Sequence, residues 1–384
     1  MTPFDPPIYV ARPSLPPLAD FVRELAGIWD NRILTNRGPL FRRFERRLAE
    51  AFATDNVNLF NNGMMALQLG LQVLDLSGEV ITTPFTFAAS VNAIVNAGLS
   101  PVFADIEPDY FSLDPERVEA LITPRTAAIL AVHVYGFPCR LAALASVAER
   151  HGLPLIYDAA HAFGVEVDGQ SIAVHGDLSM FSFHATKAFH SIEGGALVFR
   201  SPALKERLAR LGNHGLTVDG DVPEAGTNAK LSEVHALMGL LMLDSIDSMI
   251  ERLGQIAAVY RARLSGVEGV SLTPPLPGGV RPNHAFMPIL VDPDRFGCSR
   301  DDLQAAMARQ NVFTRRYFYP LLSNVGAYAR LPRGEAMAIA TRVSERVLSL
   351  PIYPDLSIDH VHRICDILEQ VQRSGHRLAP RGAA

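Results

Sequence analysis

The sequence predicts an α/β protein. A mostly parallel sheet lies between helices in a large domain, and a smaller C-terminal α/β domain follows. Three observations carry this. From Val57 onward, short apolar runs alternate with helical stretches, the pattern of strands buried on both faces. The unusual residues fall just after those runs, where such sheets bind ligands. Past Val267 the composition changes, with a proline- and glycine-rich stretch from Leu272 to Pro282. The reading divides the 384 residues into a large domain, 1–245, and a small one, 246–384, enough chain for two packed cores.

Taken in order, residues 1–20 are proline-rich and read as an extended arm over another surface. Ala19–Trp29 is a helix by its stripe of Phe21, Val22, Leu25 and Ile28. Leu34–Pro39 is a loop by its Asn and Gly-Pro content, and Pro39–Phe52 is a basic amphipathic helix. Strands follow at Val57–Phe60, Val80–Thr83, Val102–Ala104, Ala127–Val132, Leu155–Tyr157 and Ala196–Arg200. Between and after them lie helices at Met64–Leu74, Phe87–Ala97, Asp114–Ile122, Leu141–Arg150 and Pro202–Leu211. Gly212–Leu231 is irregular. Ser232–Arg263 is one long helical region, with Ser232 as cap and Glu233 in the first turn. In the second unit, strands Phe286–Val291 and Val312–Thr314 alternate with helices Asp301–Gln310, Gly334–Leu348 and Ile358–Gln372. The tail Arg373–Ala384 is expected to fray.

Composition narrows the function. Apolar residues make up 48%, charged residues 20% and the net charge is −5, with no basic stripe interleaved with aromatics, so no nucleic-acid surface is expected. Three dispersed cysteines, Cys139, Cys298 and Cys365, fit neither a zinc spacing nor a disulfide framework. They read as reduced thiols. The opening residues lack the basic start and apolar core of a signal peptide, and no apolar run is long enough to span a bilayer. The expectation is a soluble cytoplasmic protein with no metal site and no membrane partner.

Chemistry concentrates around Phe181-Ser-Phe-His-Ala-Thr-Lys187 and Glu193-Gly-Gly195. A lysine among apolar residues loses stability as an ammonium ion, so Lys187 can act as a nucleophilic amine and form a Schiff base, or it is a solvated turn residue. Asp158 ends a strand beside small residues, where it either reaches a ligand or caps a helix. A carboxylate for a pyridine nitrogen plus a lysine amine is the minimum for pyridoxal phosphate chemistry. Gly63-Met64 opens a helix after a strand, a place that suits phosphate, and Ser182 offers a further ligand. Phe85 or Phe87 could stack on a flat ring, or both could be core.

The order of these motifs resembles the DegT/DnrJ/EryC1/StrS sugar aminotransferases of fold type I. The matching segments are Asn62–Leu67, Thr83–Ser90, Asp158–Gly164, Phe181–Lys187 with Glu193–Gly195, and Gly226–Glu233. The resemblance implies that Lys187 binds pyridoxal 5′-phosphate covalently and carries a proton, and that Asp158 pairs with the ring nitrogen. His161, where many relatives carry glutamine, would meet the phenolic oxygen. Phe87 would stack on the ring. Gly63, Met64 and Ser182 would bind the phosphate, with Asn228 reaching the cofactor of the neighbouring subunit in a homodimer with shared sites. Met64 departs from the family's usual Thr or Ser, so a phosphate-binding hydroxyl is missing there. Related dehydratases carry histidine in place of Lys187, so transamination is favoured.

The resemblance further implies a nucleotide-linked keto-sugar as substrate and glutamate as amino donor. Ile8–Pro17, Leu34–Pro39 and Thr314–Pro320 look similar to the branch that aminates dTDP-4-keto-6-deoxyglucose at carbon 4, in deoxysugar and O-antigen polysaccharide biosynthesis. Arg315, Arg316, Tyr317 and Tyr319 are the candidate substrate-binding residues, the arginines being suited to phosphate or, equally, to domain-interface ion pairs. A 3-keto sugar aminotransferase or a non-catalytic cofactor-binding sensor would share the same motifs.

Overall fold

The computed structural model describes residues 2–331 and 336–378. Its centre is a seven-stranded sheet in the spatial order Val57–Phe60, Gly195–Phe199, Leu178–Ser182, Leu155–Asp158, Thr126–Val132, Glu79–Thr82, Ser100–Phe103. Every neighbouring pair is parallel except those made by Gly195–Phe199, which runs against both its neighbours. The expected mostly parallel α/β sheet is therefore present.

The period-2 side-chain alternation of strands explains the two-sided burial. Phe181, Ala196 and Val198 pack on one face with Phe41, Phe44, Leu48 and Phe52 of helix Pro39–Phe52. Met180, Leu197 and Phe199 face the other way, onto helices Gly63–Val73 and Ala88–Asn96. Register sets the site. Gly195 pairs with both Phe60 and Ser182, and Val132 pairs with Asp158, so these strand ends share one edge of the sheet.

The proline-rich arm does lie over another surface. Its strand Ile8–Tyr9 pairs in parallel with Val312–Phe313. Phe4 and Ile8 are buried with Tyr260, Val312 and Leu348 in the C-terminal core.

Some elements differ from expectation. The long helical region Ser232–Arg263 is two helices, Glu233–Leu243 and Ile246–Leu264, because the chain breaks at Asp244-Ser245. The expected helix Gly334–Leu348 is the helix Ala338–Arg346 followed by the strand Val347–Leu350; Gly334 itself lies outside the described residues. Val347–Leu350 is buried throughout and pairs antiparallel with Met287–Val291, so tertiary pairing overrides helical continuity. The helix Ile358–Leu378 takes in Arg373–Leu378 of the tail, and the remainder of the tail lies outside the described residues.

Glu233 has a larger part than a first-turn acid. It is fully buried, and its carboxylate accepts from the backbone N–H of Leu40 at 2.8 Å and of Phe41 at 2.9 Å. Gly38, the N-cap of Pro39–Phe52, has no capping side chain, so a residue 193 positions from Leu40 satisfies that helix start. A side chain at Gly38 would put its Cβ 2.6 Å from Glu233 Cδ, which explains the glycine. Replacing Glu233 by Ala leaves two amides without an acceptor and should cost about 2–3 kcal/mol, read as a lower midpoint in urea unfolding; Gln, which keeps one acceptor, should cost less.

Candidate active site

One cavity of about 430 Å³ opens at this sheet edge. It is lined by Gly63, Met64, Phe87, Asp158, His161, Ser182 and Lys187 from loops and strand ends around the seven-stranded sheet, and by Arg315 and Tyr317 from later in the chain. The sequence-derived candidates thus converge, with three exceptions described below.

Lys187 lies in the turn after Leu178–Ser182, held by its N–H to the His184 carbonyl at 2.9 Å. Burial draws its pKa down from the usual lysine value to about 8, and the Asp158 charge opposes that fall. About a tenth of the amine is therefore unprotonated at pH 7, against a far smaller share for an ordinary lysine.

Asp158 is buried at the end of its strand. Its Oδ2 accepts from Ser90 Oγ at 2.6 Å and its Oδ1 from the Ala160 N–H at 3.0 Å. Ser90 Oγ is in turn 2.8 Å from Thr86 Oγ1. Ser90 gives its single proton to the carboxylate, so Thr86 donates to Ser90. Burial pushes the Asp158 pKa up, while the Ser90 hydroxyl, the Ala160 amide and the Lys187 charge act to hold it down.

His161 Nδ1 accepts the Tyr135 N–H at 3.1 Å, which leaves the proton on Nε2. Burial lowers its pKa well below the ordinary value, so the ring is a neutral donor through Nε2. Phe286 packs against it, with ring centroids 4.3 Å apart.

At the helix Gly63–Val73, Asn62 Oδ1 caps the Met65 N–H at 2.8 Å, and the N–H groups of Gly63 and Met64 lie ahead of it. A Cβ on Gly63 would come within 2.9 Å of both Met180 Sδ and Ser182 Cβ. One on Gly195 would come within 2.6 Å of Asn62 C and O. Both glycines allow the helix start to sit against the strand that carries Ser182. The phenylalanine alternatives also separate. Phe85 is fully buried among Phe111, Tyr135 and Phe318, whereas Phe87 is 64% exposed and faces the cavity.

Arg316 and Tyr319 do not line the cavity. Arg316 pairs with Asp301 at 3.2 Å, and its guanidinium stacks over the Tyr319 ring at 4.9 Å. Both are held by the C-terminal unit's own surface. Asn228 is exposed, outside this cavity, in a bridge with Asn213. Sequence reasoning missed Ser90, which is an ordinary helix residue by pattern, and Arg12 and Tyr353, which line the cavity; Glu193 of the Glu193–Gly195 motif lines it too. No motif marks the long-range pairing that brings Arg12 there.

The model of the DegT/DnrJ/EryC1/StrS aminotransferase family matches residues 18–369. The chain belongs to that family. It is 42% identical over 95% of its length, and 99% of the relative's, to a dTDP-4-amino-4,6-dideoxy-D-glucose transaminase from Shigella dysenteriae. A transaminase of the same name from Escherichia coli is 40% identical over 95% of this chain and 98% of its own. Among solved structures, DesI in the presence of its TDP-sugar product superposes with a TM-score of 0.94 at 38% identity, covering 99% of this chain and 97% of that one. The protein is an aminotransferase of the pyridoxal phosphate type. The cavity suits that cofactor: an amine, a buried carboxylate, a neutral imidazole donor and an open helix start meet in one space, and the glycines leave room at the helix start.

Capture of pyridoxal phosphate by apo-enzyme should rise about tenfold per pH unit below the Lys187 pKa of about 8 and level off above it, followed by stopped-flow absorbance. Ser90→Ala removes a donor to the Asp158 anion, so it should raise that pKa further. Its cofactor affinity should fall by about tenfold, and the gap to wild type should widen as pH falls, in fluorescence titrations. Thr86→Val should give a smaller effect.

Proposed function

We propose that the protein transaminates dTDP-4-keto-6-deoxyglucose to the 4-amino sugar with glutamate as amino donor. The observation that carries this reading is the near full-length similarity to two transaminases named for that amino sugar, in a chain that keeps Lys187, Asp158 and His161 around one cavity. The enzyme would act as a cytoplasmic homodimer in deoxysugar and polysaccharide biosynthesis. The chain would divide near residue 245, with the N-terminal arm joined to the smaller unit. Exposure of Asn228 away from its own cavity supports a role in the neighbouring subunit's site.

When bound, pyridoxal phosphate supplies an electron-withdrawing ring that carries an amino group between two carbonyl carbons. Lys187 Nζ would hold the cofactor and then take and return the substrate's C–H proton, for which a pKa of about 8 is well matched. Asp158 would hold a proton on the ring nitrogen, oriented by Ser90 and Ala160, whose hydrogen bonds favour its anion. His161 Nε2 would donate to the phenolic oxygen. The Gly63 and Met64 amides with Ser182 Oγ would bind the phosphate, the amides compensating for the hydroxyl absent from Met64. Phe87 would cover the ring, and Arg315 and Tyr317 would meet the sugar nucleotide.

Purified protein should absorb in the visible, and glutamate should bleach that band. Lys187→Ala should lower turnover by about 10³-fold or more. A panel of nucleotide keto-sugars incubated with glutamate, read by mass and NMR, should give amination at carbon 4 of the dTDP sugar. Amination at carbon 3, or no amination of any sugar, would overturn the assignment.

A further inference from the structure

The short parallel ribbon between the arm and Val312–Phe313 leads two arginines into the wall of one cavity. Ile8 pairs with Val312 and Tyr9 with Phe313, in the same direction. Three residues beyond Tyr9 stands Arg12, and two beyond Phe313 stands Arg315. Both line the cavity that holds Lys187.

The segments bearing them are fixed. The Val10 carbonyl accepts the Ile352 N–H at 3.1 Å. The Ser14 carbonyl lies 2.7 Å from Nε2 of buried His190, whose Nδ1 accepts the Ile192 N–H at 3.3 Å, so Nε2 donates. Arg12 is thus bracketed by anchors two residues to either side. Arg315 exchanges two backbone hydrogen bonds with Ser349, at 3.2 and 2.8 Å. Among the described residues neither guanidinium forms an ion pair, although Arg316 next door does. Tyr353 and Tyr317 also line the cavity. Burial raises both phenols, and the charges of Arg12 and Arg315 respectively counter that rise. Two like charges on anchored segments, both lining one cavity and neither paired with the Asp158 or Glu193 that also line it, fit an anion with several oxygens.

We infer that Arg12, with Arg315, forms a clamp for the diphosphate of the nucleotide-linked substrate. This deepens the proposed function and rests on its sugar-nucleotide reading. The carboxylates of glutamate are the other source of such oxygens, and the test separates them.

Holoenzyme binding of dTDP, GDP and UDP would be measured for wild type, Arg12→Gln, Arg12→Lys, Arg315→Gln and the double Gln variant. The glutamate dependence of bleaching would be followed in parallel. Arg12→Gln should weaken the preferred nucleoside diphosphate about tenfold, as expected for losing one charged hydrogen-bond donor set, and Lys should restore part of it. The double variant should lose more than either single one. The shift in the glutamate constant should be far smaller. An unchanged diphosphate affinity in Arg12→Gln, a larger shift for glutamate, or a wild type that binds none of the three nucleotides would each refute the clamp. Arg12-dependent binding of GDP or UDP in preference to dTDP would uphold the clamp and overturn the thymidine assignment.

Discussion

The structure depends on keeping an amine and a carboxylate together in a space that solvates neither well. Lys187 and Asp158 stand at the same sheet edge, and each moderates what burial does to the other. Burial alone would neutralise both groups, which would leave a nucleophile but no anion for a ring nitrogen. The Ser90 hydroxyl and the Ala160 amide shift that balance toward the carboxylate. Burial brings the lysine's pKa down, against the pull of the Asp158 charge. One cavity thus lowers an amine's proton affinity and raises an acid's, with Ser90 and Ala160 limiting the second shift.

Holding that pair requires backbone as much as side chains. The reversed strand Gly195–Phe199 lies between the strands ending in Phe60 and Ser182. Its first glycine admits the Asn62–Gly63 turn at a distance no other residue tolerates. The helix start then rests against the strand that leads into the lysine turn. Capping by Asn62, close approach at Gly195 and the hydroxyl of Ser182 form one unit that connects sheet geometry to anion binding.

Much of this was legible in sequence. The Val57–Phe60 strand and the Pro39–Phe52 helix are where their patterns place them, because local periodicity and a local apolar face agree there. Lys187, Asp158 and the Gly63 turn were legible because each sits at a strand end with distinctive neighbours. What escaped was long-range. Glu233 looked like a helix-start acid, and its partners are Leu40 and Phe41. Ser90 is one small residue in an apolar helix, significant only because Asp158 lies across from it. Val347–Leu350 reads as the end of a helix until Met287–Val291 offers it a partner. Arg316, adjacent to Arg315, is indistinguishable by motif, yet Asp301 holds it elsewhere.

The N-terminal arm has a consequence for how the chain matures. Its hydrogen-bond partners are Gln310, Asn311 and Ile352, and its link to the lysine turn runs through His190. Chain synthesis runs from the amino end, so the arm is made long before the residues it pairs with. Closing so long a loop is entropically costly and contributes late. None of the arm's strand partners belongs to the seven-stranded sheet, so the cavity wall carrying Arg12 depends on contacts that span most of the sequence.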